Sequence, residues 1–407
     1  MLSTPKGTHD LLPEDLSTWQ FMEAMARETF ARSNFQEIRT PILEYTELFA
    51  RGVGDSTDIV NKEMYSFEKG DRQLTLRPEN TAGVVRAYIQ HGMDRWPKPV
   101  KLFYMGPQFR YERPQAGRQR QFHQVGAELF GIDTPQSDLT VIALAYDFLA
   151  LLGLNNLSLE INNVGCFVCR EDFKIKFKAL VKPYLSELCE DCNKRYETNP
   201  LRMLDCKNPT CKAVYQRSDI QAFLNEDQTC SECQTHFQTL LDLLEKSEIS
   251  AHRNKMLVRG LDYYTRTVFE ITSNHLGAQN AVCGGGRYNG LVKTLGGPDT
   301  PAVGWAMGME RLISLIQKKD TLSLDYYVAS DDLLSAQVLA RKLRQQGYSV
   351  DLDLSGKALG KQLAQADKLG VRQVAILGES ERLNGTVTLK DMTQKTQTTV
   401  PQESLFR

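Results

Sequence analysis

The chain has 407 residues, of which 41% are hydrophobic and 24% are charged, and its formal net charge at pH 7 is -1. This composition is typical of a globular protein and excludes disordered, fibrous and collagen-like classes, and the length predicts two domains or one domain with a large insertion. A net charge so close to zero attracts no polyanion by itself, so any contact with nucleic acid has to come from local basic clusters.

The N-terminal stretch MLSTPKGTHDLLPEDL lacks the charged and apolar regions of a secretory signal. The longest apolar run, 141–154, is short for a membrane span and is interrupted by Asp147. We therefore expect a cytoplasmic protein without a membrane segment.

The first half of the chain predicts a helix followed by strands. Apolar residues recur at helical spacing over 15–34 and lead into FQEIRTPILEYTELF, where Pro41 interrupts an extended segment. Residues 100–131 then alternate as two strands around the basic, Pro- and Gly-containing stretch ERPQAGRQR. This pattern predicts a hairpin with a long tip.

The second half divides into three parts. Residues 166–244 are rich in Cys, Lys and Glu and interrupt two strand-rich regions, which indicates an inserted, largely helical module. The stretches LVRGLDYYTRTVFEITSN, CGGGRYNGL and AVGWAMGMERLISLIQ follow, the last passing from a strand into a helix near Gly308. From Asp325 strands and helices alternate, which predicts a small α/β domain over 325–407 that lacks a final helix.

These elements predict an α+β fold. Residues 1–165 and 245–320 would form a mostly antiparallel sheet flanked by helices, with the cysteine-rich module inserted between them and the α/β domain at the end.

The hairpin brings charge, amide and aromatic groups together. Strand alternation puts Arg110 and Glu112 on one face of the first strand. The facing strand carries a matching set on one face, namely Phe122, Gln124, Gly126 and Glu128. Arginines suited to clamping phosphate or carboxylate surround the loop: Arg110, Arg113, Arg118 and Arg120. We expect Gly126 to leave space for a ligand; the alternative is a solvated hairpin whose arginines pair with Glu112 and water.

Other segments add polar groups to the same prediction. RPENT supplies Glu79 and Thr81, and LVRGLDYY supplies Arg259, Tyr263 and Tyr264. Together they could hold a zwitterion, although ordinary core packing explains the tyrosines equally well. CGGGRYNGL lacks the spacing of a Rossmann or P-loop motif, so its glycines indicate close approach of a backbone or ligand at a pocket floor.

Eight of the nine cysteines lie in the inserted module as four close pairs. These pairs are Cys166 with Cys169, Cys189 with Cys192, Cys206 with Cys211, and Cys230 with Cys233. Such pairs in a long chain without a signal favour structural Zn²⁺ held by four thiolates. The first two pairs could hold one ion and the last two another, and one ion with four spare cysteines is the more cautious count. Free thiols, disulfides, and His236 in place of a thiolate are the alternatives.

Taken together and in this order, the segments resemble the histidyl-tRNA synthetases, a class II aminoacyl-tRNA synthetase family, over essentially the whole chain. FQEIRTPILEYTELF is similar to the dimer-forming first motif, FRYERPQAGRQRQFHQVGAELFG to the second and AVGWAMGMERL to the third. LVRGLDYY and GGGRYNGL resemble the two segments particular to the histidine enzymes.

The resemblance implies ATP- and Mg²⁺-dependent ligation of L-histidine to tRNA(His) through histidyl-adenylate, by a homodimer whose last domain binds the anticodon. It implies histidine contacts at Glu79, Asn80, Thr81, Arg110, Gln124, Glu128, Arg259, Tyr263 and Tyr264. Among these, Glu128 and Tyr264 would read the imidazole ring. Arg259 and Arg110 would be catalytic, with Arg259 neutralising charge at the α-phosphate and the substrate carboxylate.

The resemblance also implies the remaining binding residues. ATP would contact Arg110, Glu112, Phe122 and Arg311, with adenine against Phe122 and the γ-phosphate near Arg311. Arg113 and Gln115 would meet the tRNA acceptor end. Two rival functions stay open: a non-catalytic paralogue that regulates histidine biosynthesis, and a zinc-ribbon protein that binds nucleic acid without catalysis.

Overall fold

The computed structural model describes residues 2–54, 57, 59–114, 117–274, 280–319 and 324–406. The chain divides into two compact units, Met1–Lys319 and Asp320–Arg407. The strands of the first unit are β1 (Gln36–Glu37), β2 (Leu43–Tyr45), β3 (Tyr65–Lys69), β4 (Arg72–Leu76), β5 (Val100–Phe109), β6 (Gln121–Phe130), β7 (Leu157–Asn163), β8 (Ala251–Arg253), β9 (Thr265–Ser273), β10 (Ala281–Arg287) and β11 (Ala302–Gly308).

The helices of the first unit precede, separate and follow these strands. They are α1 (Pro13–Arg32), α2 (Thr46–Val53), α3 (Thr81–Gln90), α4 (Pro135–Leu151), α5 (Phe167–Val181), α6 (Glu190–Thr198), α7 (Pro209–Tyr215), α8 (Ser218–Asn225), α9 (Ser231–Lys246), α10 (Leu291–Thr294) and α11 (Met309–Ile313). Five of them, α5 to α9, lie between Cys166 and Lys246, the stretch that contains the four cysteine pairs.

Within the described residues, an eight-stranded sheet has the order β1-β5-β6-β11-β10-β9-β7-β8. Its central pairs are antiparallel, and only the outer pairs β1 with β5 and β7 with β8 are parallel. The predicted hairpin is confirmed, because β5 pairs with β6 from Val100 opposite Phe130 to Phe109 opposite Gln121. A separate three-stranded sheet has the order β2-β4-β3.

Helices α1 and α4 cover one face of the large sheet. Each begins with proline in its first turn, where the missing N–H has no partner to lose. Met22, Ala26 and Phe30 recur at four-residue spacing in α1 and are buried, with Val141 and Phe148 of α4 in the same core. The apolar run of the sequence is therefore a core helix.

The second unit contains β12 (Tyr326–Ser330), α12 (Leu333–Gln345), β13 (Val350–Leu352), α13 (Leu359–Lys368), β14 (Gln373–Leu377), α14 (Glu379–Asn384), β15 (Thr386–Asp391) and β16 (Gln397–Pro401). Strands β13, β12 and β14 are parallel, as strand–helix alternation predicts, whereas β15 and β16 add antiparallel strands. A 3-10 turn, Gln402–Phe406, follows β16. Over the described residues of both units, no helix combines the length and apolarity needed to cross a membrane.

Candidate active site

A cavity of about 470 Å³ opens where the β5–β6 hairpin, residues 257–264 and the ends of β10 and β11 meet. It is lined by most of the residues that the sequence singles out, namely Glu79, Thr81, Arg110, Glu112, Phe122, Gln124, Arg259, Tyr263, Tyr264 and Arg311. Arg113 is exposed and lies outside this lining, and Gln115 lies outside the described residues.

Glu79 is fixed at the start of α3. Its carboxylate oxygens accept the backbone N–H groups of Thr81, at 2.8 Å, and Ala82, at 2.9 Å, in the manner of a helix cap. Burial raises the pKa of Glu79, against these two hydrogen bonds, which lower it. The carboxylate is thus rigid, yet each oxygen keeps a lone pair for a ligand in the cavity.

Asn80, a predicted histidine contact, lies behind the cavity. Its side-chain oxygen accepts from the Thr40 hydroxyl at 2.5 Å and from the Arg77 guanidinium at 3.3 Å, and the residue is buried. It does not line the cavity. Because α3 starts at Thr81, the side chain of Asn80 is directed into the packing between α3 and residues 40–41, where it supports the site from behind.

Glu128 lies one layer behind the cavity wall. Its Oε1 accepts the hydroxyls of Thr81, at 2.7 Å, and Tyr104, at 3.4 Å, and its Oε2 accepts that of Tyr288 at 2.5 Å. Thr81 and Tyr104 line the cavity, whereas Glu128 is fully buried and does not. Burial raises the pKa of Glu128 to about 8, although the hydroxyl donors oppose the rise. A ligand that enters the cavity therefore contacts the Thr81 and Tyr104 hydroxyls, which are hydrogen-bonded to Glu128.

The glycines of the sheet make room for side chains. A Cβ at Gly126 would overlap the Tyr104 ring, so the expectation that Gly126 leaves space for a ligand is wrong. A Cβ at Gly304 would likewise overlap the Glu128 carboxylate, and one at Gly284 would overlap the Arg259 guanidinium. The glycine run does lie at the cavity, but its role is to let functional side chains lie flat on the sheet.

Arg259 is paired within the cavity. Its Nη1 donates to Oε1 of Glu270, a residue of β9 that also lines the cavity. Burial lowers the pKa of Arg259, but the charge of Glu270 and smaller contributions from Tyr264, Cys283 and Tyr263 together outweigh it, and the net shift is upward. Its buried Nε has no hydrogen-bond partner among the described residues, so one guanidinium edge still lacks an acceptor.

Three more arginines line the cavity: Arg110, Arg118 and Arg311. Arg110 lies over the Phe122 ring, 5.2 Å from its centroid, and Arg118 Nη1 lies 2.9 Å from Glu112 Oε2. Burial lowers the pKa of Arg311, and the charges of Arg118 and Arg110 lower it further. Mutual repulsion among these cations makes this part of the cavity suited to a polyanion.

Sequence reasoning missed four cavity or network residues: Tyr104, Glu270, Tyr288 and Glu310. Glu310 accepts the backbone N–H of His123 at 2.8 Å and faces its Nδ1 at 3.0 Å. Tyr288 stands inside the quoted GGGRYNGL segment, and Glu270 is an isolated carboxylate within the apolar strand TRTVFEITS. A charged residue in a central strand was the available signal for Glu270.

The cysteines form two groups of four, but not in the predicted pairing. Cys166 and Cys169 join Cys230 and Cys233, while Cys189 and Cys192 join Cys206 and Cys211. The first and last pairs meet because α5 and α9 begin beside each other, and the middle pairs are nested between them. His236 takes no part; it faces Asp138 at 3.2 Å.

Comparison with known proteins gives one consistent result. The family model described as histidyl-tRNA synthetase matches residues 7–173 and 185–312, and an anticodon-binding-domain model matches 324–407. A histidine–tRNA ligase of Desulfitobacterium hafniense is 47% identical over 98% of this chain and 96% of its own length. A histidine–tRNA ligase of Synechocystis sp. is 50% identical over 98% of this chain and 90% of its own length. The crystal structure of apo S. aureus histidyl-tRNA synthetase is 34% identical, with a TM-score of 0.81, and covers 100% of this chain and 99% of its own.

The buried carboxyl of Glu128 makes a prediction about stability. Between about pH 4.5 and 8 the folded state keeps a proton that the unfolded state releases, so stability falls by about 1.4 kcal/mol per pH unit across that window. Glu128→Gln removes this term. Its thermal midpoint, relative to the unsubstituted protein, is expected to rise steadily from about pH 5 to about pH 8, with the exposed Glu28→Gln as control. A difference that stays constant with pH would contradict the account.

Proposed function

This chain belongs to the histidyl-tRNA synthetase family, and from that premise we propose how its residues ligate histidine to tRNA(His). The reaction itself follows from the family and from identity over nearly the whole chain. The regulatory paralogue is not favoured, because the match includes an anticodon-binding domain. One observation carries the proposed site: a single cavity holds four arginines beside a set of buried acceptors and tyrosines.

Histidine binds among Glu79, Thr81, Gln124, Tyr263 and Tyr264. The Glu79 carboxylate and the buried Gln124 Oε1, which has no hydrogen-bond partner among the described residues, receive the substrate ammonium. Tyr264 reads the imidazole together with the hydroxyls anchored on Glu128. An imidazole N–H directed at this network donates to a hydroxyl oxygen and favours the ionised carboxylate, whereas an analogue without ring nitrogens donates nothing to it.

ATP binds beside the histidine. Adenine stacks against Phe122 and is held near Arg110, while Glu112 keeps the neighbouring Arg118 in place. Arg311, whose charge is disfavoured by its cationic neighbours, receives the γ-phosphate. Cavity carboxylates offer the oxygen ligands that Mg²⁺ prefers, since Mg²⁺ commonly takes one or two carboxylates plus phosphate oxygens. When bound, Mg²⁺ neutralises charge on those oxygens.

Catalysis is by positioning and charge stabilisation. The histidine carboxylate attacks the α-phosphate of ATP in line, pyrophosphate leaves, and the 3′-terminal hydroxyl of the tRNA then takes the acyl group and releases AMP. Arg259 and Arg110 hold the carboxylate and α-phosphate, where negative charge concentrates in the transition state. The exposed Arg113 and the neighbouring Gln115 meet the acceptor end.

The proposed domain boundaries are 1–165 with 245–320 for catalysis, 166–244 for the insert and 325–407 for the anticodon. The agreement of the last range with the matched anticodon-binding model supports it. We place the protein in the cytoplasm, where tRNA is charged.

A homodimer is supported by apolar residues on the small sheet. Leu43, Tyr45 and Phe67 are 42%, 54% and 44% exposed. Tyr45 and Phe67 both pair with Leu74 across β4, so they form one surface. A contiguous exposed apolar surface of this kind is characteristic of subunit interfaces.

Structural zinc is supported by the geometry of both cysteine groups. In each, the four Sγ atoms lie within 4.8 Å of one another, and a tetrahedral Zn²⁺ with bonds of about 2.3 Å places its sulfurs about 3.8 Å apart. Sγ of Cys189 and Cys206 are 3.8 Å apart, and those of Cys166 and Cys169 are 3.5 Å apart, too far for a disulfide. When bound, Zn²⁺ would link the two cysteine pairs of each group.

Arg259→Ala is expected to lower histidine-dependent ATP–pyrophosphate exchange roughly 100-fold or more, a loss of about 3 kcal/mol in transition-state stabilisation. The exposed Arg32→Ala on α1 is the control, expected to retain full activity. Near-normal exchange by Arg259→Ala would refute the proposed role.

Zinc content distinguishes the two pairings. Protein purified without added zinc is expected to hold about two equivalents per chain. The double variant Cys169→Ser with Cys230→Ser removes two ligands from one group, so it is expected to lose one equivalent; under the sequential pairing it would lose both. Cys283→Ser, outside both groups, keeps two. Less than about half an equivalent in the unsubstituted protein would defeat the proposal.

Phe67→Asp is expected to shift the protein from dimer towards the 46.1 kDa chain in sedimentation equilibrium, because it places a charge in the apolar surface. Leu383→Asp, at an 80% exposed position of the second unit, is the matched control. An unsubstituted protein that sediments as a monomer would contradict the proposed interface.

A further inference from the structure

The segment that carries Arg259, Tyr263 and Tyr264 has no regular secondary structure. Residues 257–264 connect β8 to β9 through turns and bends. Its backbone carbonyls therefore lack the partners that a helix or sheet provides, and buried carbonyls require partners from elsewhere in the fold. The geometry of this segment depends on the residues that supply those hydrogen bonds.

Two buried arginines of the insert supply them, and a buried asparagine of the insert holds a side chain of the segment. Arg170 Nη1 donates to the carbonyls of Asp262, at 3.1 Å, and Tyr264, at 2.7 Å. Arg202 Nη1 donates to the carbonyl of Gly260, directly after Arg259. Asn199 Nδ2 donates to the Asp262 carboxylate at 2.6 Å. Because carbonyls on both sides of Leu261 are bonded to the insert, the backbone position from which Arg259, Tyr263 and Tyr264 project depends on the insert.

These donors are rigid because they are buried. Arg170 and Arg202 are each 8% exposed, and Asn199 is 6% exposed. Burial lowers the pKa of Arg170 because its charge is removed from water, so its two carbonyl acceptors are costly to lose. A buried arginine that donates to two backbone carbonyls holds them in a fixed position relative to each other, because its guanidinium is planar and rigid.

Each donor also lies next to a cysteine group. Arg170 follows Cys169 in α5 and donates its N–H to the Cys166 carbonyl at 2.9 Å. Asn199 and Arg202 lie between Cys192 and Cys206. Arg202 is part of the hydrogen-bonded 3-10 turn Pro200–Asp205, and Asn199 directly precedes this turn.

The insert reaches the segment through apolar contacts as well. Met256 and Val258 pack against the insert core that contains Cys192 and Cys211. From the same insert, Asp205 and Lys207 line the cavity itself. The cysteine-rich module and the catalytic segment are thus one packed unit.

We propose that Arg170, Asn199 and Arg202 are positioning residues for histidine activation, through which the cysteine-rich insert holds segment 257–264 in its active geometry. The inference rests on the roles proposed above for Arg259, Tyr263 and Tyr264. Arg170 and Arg202 need not touch substrate. Their effect is exerted on the histidine contacts, since ATP is held mainly by the hairpin and α11.

The test uses full-length Arg170→Met and Arg202→Met, which keep side-chain length but remove the donors, with Arg217→Met as matched control. Arg217 is in the same insert but is exposed and pairs with Glu187. Histidine-dependent ATP–pyrophosphate exchange is measured with KM for histidine and ATP determined separately, together with thermal midpoint and zinc content.

Both variants are expected to lower kcat/KM for histidine roughly 10- to 100-fold, because small displacements of positioning groups have effects of this size. KM for ATP and zinc content are expected to stay near those of the control, whereas the thermal midpoint is expected to fall, because the carbonyls left without donors are buried. Arg202→Lys, which retains one donor for the Gly260 carbonyl, is expected to recover part of the loss.

The inference is overturned if both variants keep kcat/KM for histidine within about threefold of the control, or if KM for ATP rises as much as KM for histidine. Should either methionine variant fail to fold, Asn199→Ala, which removes one amide and no charge, is judged by the same parameters. Arg259→Ala, measured in the same assay, distinguishes failure of the proposed site from failure of this inference. If Arg259→Ala retains exchange, the proposed site is refuted. If Arg259→Ala loses exchange but the insert variants do not, this inference alone is refuted.

Discussion

The hydrogen bonding of one buried carboxyl, that of Glu128, constrains the architecture around the cavity. An isolated carboxylate in a protein interior is very costly unless it is neutralised or hydrogen-bonded. Here three hydroxyls come from three different parts of the fold, Thr81 at the start of α3, Tyr104 on β5 and Tyr288 after β10, and they converge on its two oxygens. Displacing any of these elements would remove one of the three donors. The need to satisfy Glu128 therefore fixes how α3 and the sheet meet.

Much of this arrangement could be predicted from sequence, because strand alternation is local. The alternation of side chains along a strand correctly placed Phe122, Gln124 and Glu128 on one face of β6. Alternation does not say how deep each residue lies. Both residues lie between β5 and β11: Gln124 pairs with Gly106 and Gly308, and Glu128 pairs with Leu102 and Gly304. Depth depends on the side chains that other segments place over β6, here those of Thr81, Tyr104 and Tyr288, and so the position of Glu128 behind the wall could not be predicted from local sequence.

The same distinction explains the cysteines. Spacing within each pair is local and correctly indicated two groups of four thiols. Which pairs combine depends on helix packing: α5 and α9 are far apart in sequence but begin side by side, so the middle pairs are nested rather than consecutive. Glycines misled in a similar way. A missing Cβ indicates close approach, but only the fold shows that Tyr104 fills the space at Gly126.

The arginines of the cavity differ in electrostatic state, and this difference bears on catalysis. The positive charge of Arg311 is destabilised by burial and by the neighbouring arginines, so an anion that binds there stabilises this charge even in the ground state. Arg259 is already neutralised by Glu270, and a substrate anion must compete with that carboxylate. Competition is most favourable when negative charge concentrates at the reacting phosphate. Interactions that strengthen in the transition state raise kcat, whereas equal binding of ground and transition states does not. Glu270 thus makes Arg259 respond more to the reaction than to ATP binding, while Arg311 serves binding.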